Sequence, residues 1–126
     1  MLGQSTIFAT VAVSDFAAAK QFYGETLGLQ LTDENPGGIT YKSGTGKLFV
    51  YQSPAAGKNQ ATSAAWEVAD IEAAAQDLRA KGVNFEHYEL PGVVYQGDIA
   101  VMGPLKAAWF KDPDGNILSI GNDGKA

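Results

Sequence analysis

With 126 residues, 45% hydrophobic and 18% charged, the chain is one domain's worth of soluble globular sequence, and neither half could bury a good core by itself. The absence of cysteine excludes disulfide and thiolate chemistry, and a formal net charge of −5 disfavours the clustered Lys and Arg of a general nucleic-acid grip. No apolar run reaches membrane-spanning length and Met1–Ser5 lacks the basic and apolar regions of a signal peptide, so no membrane partner and a cytoplasmic location are expected.

Thr6–Val13, rich in β-branched and apolar residues, predicts a first strand. Asp15 then stands where a helix N-cap belongs. Phe16, Ala19, Phe22, Tyr23 and Leu27 follow at helical spacing, and Gly28 is the stop. Leu29–Leu31 begins a second strand and Asn35–Gly38 turns the chain. Ile39–Lys42 and Lys47–Gln52 read as a hairpin around Ser43–Gly46. Residues 53–61 are a polar connector. The pattern then restarts with a strand over Thr62–Val68 and a second cap at Asp70. Ile71, Ala74, Ala75 and Leu78 make one helical stripe, Arg79 and Lys81 suit the negative helix end, and Gly82 ends it. Val83–Leu90, Asp98–Met102, Ala107–Lys111 and Asn116–Gly121 predict strands, with Pro91-Gly92 and Asp112–Gly115 as turns. The tail, 122–126, is expected to fray.

The chain therefore repeats itself. Val13-Ser14-Asp15-Phe16-Ala17-Ala18-Ala19 is answered by Val68-Ala69-Asp70-Ile71-Glu72-Ala73-Ala74, and the hairpin around Gly46 by the hairpin around Gly115. The reading is one domain over 1–126, α+β in class, built from module 1 (5–52), the connector (53–61) and module 2 (62–121). Asp15 and Asp70 lie 55 residues apart, but Gly46 and Gly115 lie 69 apart, so the second copy holds about 14 more residues near Glu89–Pro104. A loop added by one copy of a shared scaffold is a reasonable place for ligand contacts.

The repeat, the Asp-capped helix with Phe22-Tyr23 and Leu27-Gly28-Leu29, and the run Trp109-Phe110-Lys111-Asp112-Pro113-Asp114-Gly115-Asn116 together resemble the vicinal oxygen chelate superfamily. This is the glyoxalase, bleomycin-resistance and extradiol-dioxygenase group. The resemblance covers roughly Ser5 to Gly121 and implies two βαβββ modules whose curled mixed sheets surround a cleft. In the metal enzymes of that group each module supplies a first-strand histidine and a last-strand glutamate. Carried over by spacing, the positions are Phe8 and Ser63, five before Val13 and Val68, and Val50 and Ser119, four after Gly46 and Gly115. None is an imidazole or carboxylate, so no metal and no cofactor are expected.

Strand alternation then divides the residues. The cleft face is expected to carry Phe8, Thr10, Leu48, Val50, Gln52, Ser63, Glu67 and Ser119, with Tyr95, Met102 and Trp109 from the added segment as an aromatic wall. Phe49, Tyr51 and Trp66 fall on the helix side by the same alternation. Glu67 is the weak catalytic candidate: desolvated in an apolar cleft it would suit proton transfer, or it would hold a cationic ligand, and the plain alternative is a rim carboxylate in water. His87 reads as a surface residue. Ser43–Lys47 lacks the glycine and hydroxyl of a phosphate loop, and Asp112–Gly115 lacks the downstream ligands of a calcium loop. The expected function is metal-free binding of an apolar or aromatic, optionally cationic, small molecule by a homodimer. The alternatives are a metal-independent lyase or isomerase using Glu67, and a ligand-free regulatory or partner-binding module.

Overall fold

The computed structural model describes residues 2–122. After a short turn at Leu2–Gln4, strand β1 (Ala9–Val13) leads to helix α1, which opens on the Asp15 cap with its carboxylate accepting from Ala17 N–H at 2.9 Å. Only Phe16–Ala19 is α-helical; Lys20–Thr26 continues in wider π-type turns, closed by Leu27 N–H to Phe22 C=O at 2.9 Å. Gly24, a poor α former, lies inside the widened stretch. Strands β2 (Gln30–Asn35), β3 (Gly38–Ser43) and β4 (Gly46–Gln52) complete the first half. In the second half β5 (Thr62–Glu67) precedes helix α2 (Ile71–Ala80), capped by Asp70 onto Ala73 N–H at 3.1 Å. Strands β6 (Phe85–Glu86), β7 (Val94–Gln96), β8 (Ile99–Met102), β9 (Leu105–Lys111) and β10 (Ile117–Gly121) follow.

The strands form two mixed sheets. Sheet 1 has the order β1-β4-β3-β2, with β1 parallel to β4 and the other pairs antiparallel. Sheet 2 has the order β5-β10-β9-β8-β7, with β5 parallel to β10. The strand expected over Val83–Leu90 shrinks to Phe85–Glu86 because one edge of β9 is shared: β8 pairs with Leu105–Ala107, leaving β6 only Trp109 and Phe110. The added segment of the second copy supplies β7 and β8, a hairpin whose first strand is not among those expected from the sequence. The expected fraying falls on 123–126, outside the described residues; Asn122 is tied in, accepting from Lys106 N–H at 3.0 Å and donating to Pro104 C=O at 3.0 Å.

A shared core holds the halves together. Val11, Val13, Ile39, Tyr41, Leu48 and Val50 of sheet 1 and Ala64, Ala108, Phe110, Leu118 and Ile120 of sheet 2 belong to one buried cluster. Helix α1 bridges them: the Tyr23 ring packs 6.2 Å from Tyr41, and Phe22 lies 6.4 Å from Phe110. The β9–β10 turn is the second bridge. Asp112, 5% exposed, accepts the Tyr23 hydroxyl at 2.7 Å and Asn116 Nδ2 at 2.8 Å on one oxygen, and the backbone N–H groups of Asn116 and Asp114 on the other. Asn116 Nδ2 also donates to Ala12 C=O at 2.7 Å, and Asp114 accepts the Ser14 amide and hydroxyl. The connector closes over this turn: Gly57 N–H donates to Asn116 Oδ1 at 3.1 Å, and a Cβ on Gly57, at φ +72°, would overlap the Asp114 carbonyl oxygen.

Removing one donor from a buried carboxylate costs about 1–3 kcal/mol. Tyr23→Phe is therefore expected to lower stability by about that amount, read as a shifted urea midpoint with an unchanged slope. Burial first, then the Asp112 carboxylate, pushes the Tyr23 phenol far above its ordinary value. The neutral phenol is thus the folded form, so its contribution is full below pH about 10 and is lost as pH rises beyond it. Tyr41 and Tyr88 shift in the same direction, so Tyr23→Phe should reduce, not abolish, the alkaline loss of stability between pH 8 and 11. Gly57→Ala should destabilise by at least about 1 kcal/mol through both the left-handed φ and the overlap, measured in the same titrations.

Candidate functional site

Each sheet buries one face and leaves one open, and the ladder registers say which residues share a face. In sheet 1, Val11 pairs with Val50 and Ala9 with Leu48, and these face the core; Thr10 pairs with Phe49 and Ala12 with Tyr51, and these face outward. Leu48 and Val50, at 3% and 0% exposure, are therefore core residues and not the cleft residues expected from sequence. Phe49 and Tyr51 take their place on the open face, where their rings stack 6.2 Å apart. The expectation failed because the two hairpins differ in length. Ser43 pairs with Gly46 across a two-residue turn, whereas five residues separate the paired Lys111 and Ile117. Equating Gly46 with Gly115 slides β4 by one residue, and a one-residue slip exchanges the faces of a strand. The position matching Ser119, which pairs with Ala65, is Phe49, which pairs with Thr10.

Phe8, just ahead of β1, is exposed, with the Lys47 ammonium 4.8 Å from its ring centre. Gln52 closes the strand end, donating to Ser14 C=O at 3.0 Å, and takes no part in the open face. On sheet 2, Glu67 lies on the open side of β5 and Ser119 pairs with Trp109 on the same side, whereas Ser63, half-buried, falls at an irregularity of the ladder and has no partner in it. Ala65, Glu67, Leu105, Ala107 and Ser119 line a shallow depression of about 370 Å³. Met102, the ladder partner of Leu105, lies at its margin. Glu67 is exposed and makes no ion pair among the described residues, so its carboxylate stands in water in a single chain.

Tyr88 meets Trp109 edge-on at 5.6 Å, and its buried hydroxyl has no partner among the described residues. Burial pushes its phenol up. Tyr95 is used differently from the expected wall. Its hydroxyl accepts from Tyr88 N–H at 2.7 Å and donates to Tyr88 C=O at 2.9 Å, and its ring stacks on His87 at 4.4 Å. It pins the β7–β8 hairpin to the sheet. Asp98 helps, receiving His87 Nε2 at 2.8 Å and Arg79 Nε at 2.9 Å, and these two partners hold its carboxyl below the usual range. His87 is the surface residue that its strand context suggested.

The two open faces do not confront each other. The buried faces converge on one core through α1 and the Asp112 turn, so the open faces look away from that core. A concavity between the halves lies instead on the core side, against Trp66. Metal chemistry fits the open faces poorly. The matched positions Phe8, Phe49, Ser63 and Ser119 offer two aromatic rings and two neutral hydroxyls, and no group of three or more His, Cys, Asp or Glu converges among the described residues.

No curated protein matches the chain in sequence. Among solved structures, a glyoxalase family protein from Enterococcus faecalis superposes with a TM-score of 0.73 at 21% identity, covering 97% of this chain and 100% of that one. A glyoxalase/bleomycin resistance protein from Streptomyces sp. CB03234 gives 0.67 at 24% identity, over 94% and 100% of the two chains. TnmS3, an antibiotic binding protein from the same Streptomyces, gives 0.69 at 23% identity, over 94% and 97%. These likenesses establish the fold. The sequence profile of the Glyoxalase/Bleomycin resistance protein/Dioxygenase superfamily matches residues 6–120, and the chain belongs to that superfamily.

Proposed function

We propose that this protein is cytoplasmic and binds a small, flat, apolar or aromatic molecule between open sheet faces brought together by a homodimer. The observation that carries the reading is the pair of outward faces. Phe8, Phe49 and Tyr51 leave aromatic surface uncovered on one, Leu105 and Trp109 on the other, and one chain gives neither a lid. A two-fold axis would lay the first face of one copy against the second face of its partner and make two equivalent clefts. The half-buried Trp109 would give such a cleft a stacking wall. Glu67 would meet a cationic group. That TnmS3, with the same fold, is an antibiotic binding protein supports a binding role for the scaffold. The positions that hold a metal in the related enzymes carry no donors for one, so the reading includes no metal-dependent step.

Light scattering on eluted protein is expected to return a dimer, and Tyr51→Glu to return a folded monomer; a wild-type monomer at tens of micromolar overturns the shared cleft. In thermal-shift and fluorescence titrations against aromatic cations, Trp109→Ala should weaken binding at least about tenfold. Glu67→Gln should weaken cations by a few-fold and leave neutral aromatics unchanged. Loss of a turnover reaction in Glu67→Gln with binding intact would replace the binding reading with the lyase or isomerase one.

A further inference from the structure

The core-side space between the halves is a concavity of about 550 Å³. Small-molecule pockets span roughly 300–1,000 Å³. Its floor is Trp66, whose indole stacks on Phe110 with ring centres 6.5 Å apart and 26° between planes. Leu27 and Leu29, just beyond α1, and Leu78 of α2 form the walls. Leu27, Leu29 and Trp66 pack on the core yet stay half-buried, so this apolar surface lines the concavity.

The polar groups are few. Ser43 stands at the end made by the β3–β4 turn, whereas Lys42, the ladder partner of Lys47, belongs to the open face of sheet 1 and only borders the concavity. Trp66 Nε1–H donates to Ser43 Oγ at 2.9 Å, which leaves the serine O–H free to donate into the concavity. Asp77 on the α2 rim is 3.3 Å from Lys81 Nζ. One end of the concavity thus offers a hydroxyl donor and its middle is aromatic. The distortion of the first helix serves the same place. Its π-type turns, a geometry that clusters at functional sites, end with Leu27 N–H on Phe22 C=O and Leu29 N–H on Tyr23 C=O, and deliver both leucines to the wall.

We infer that this concavity is a second binding site, for a flat aromatic molecule bearing an oxygen acceptor, carbonyl or carboxylate, at one end. The ring lies on Trp66 between Leu27 and Leu78, and the acceptor receives the Ser43 O–H. The site is complete within one chain and independent of the open-face cleft. Trp66 floors this one and also borders the depression beside Glu67, whereas Trp109 lies on the opposite face of sheet 2 and reports on the open face alone.

The test uses full-length ¹⁵N-labelled protein and 2-naphthoate, with the two indole N–H resonances assigned through Trp109→Phe. Naphthoate should move the Trp66 indole resonance saturably and leave that of Trp109 in place. Ala74→Phe, which fills the concavity from α2, should weaken binding at least about tenfold, and Ser43→Ala at least about threefold. Trp109→Ala, which disables the open face, should leave the naphthoate affinity within about twofold, so failure of either site is seen apart from failure of the other. No saturable shift up to about 5 mM, a shift confined to Trp109, or an affinity indifferent to Ser43→Ala overturns the assignment. If Ala74→Phe does not fold, the wild-type spectrum and Ser43→Ala decide alone.

Discussion

The Asp112 carboxylate is the interaction on which the rest of the architecture depends. A buried carboxylate is costly unless both oxygens are occupied, and here four donors occupy them. One, the Tyr23 hydroxyl, comes from α1 in the other half of the chain. Asn116 shares the carboxylate and also holds Ala12 and Gly57, so one turn grips the end of β1, the first helix and the connector together. The Asp-Pro-Asp-Gly-Asn run is thus more than a hairpin turn. It is a clasp whose polar groups are satisfied only when both halves are in place, which couples their folding.

That clasp decides where a ligand can sit. By drawing the core-facing sides of both sheets together around α1, it turns the other two sides outward. A duplicated scaffold could in principle enclose a cleft between its own halves, but here the concavity on the core side is floored by Trp66, and the open faces have no cover within the chain. The two surfaces have different chemistry. The outer faces combine exposed aromatic rings with the Glu67 carboxylate, whereas the inner one offers an aromatic floor with Ser43 at one end.

Much of this was legible in the residues because local physics sets it. The caps at Asp15 and Asp70, the stripe of α2 and the hairpin turns each depend on a few neighbouring residues. Faces are harder. On β5 the alternation holds for Ala64 and Trp66 on the core side against Glu67 on the open side, while Ser63 falls at an irregularity of the ladder. The reading of β4 failed because it was anchored on a turn glycine, and the two turns differ in length, two residues against five, which slips the strand by one. A local signal was available: Lys47, Phe49 and Tyr51 share one phase, and a lysine marks the side that faces water. Tyr95 was misjudged for another reason. Its value lies in a double bond to the backbone of Tyr88, and no pattern in sequence announces such a contact.

By itself the sequence determined the duplication, the α+β class, the superfamily and the lack of metal donors at the matched positions, because these follow from residue identity and short-range spacing. Tertiary structure alone decided the phase of β4, the widening of α1, the direction in which the open faces point and the existence of the cavity against Trp66. Each of these depends on how two sheets settle around one buried carboxylate, a contact spanning 89 residues between Tyr23 and Asp112. Spacing within a strand or helix carries no information about so distant a partner.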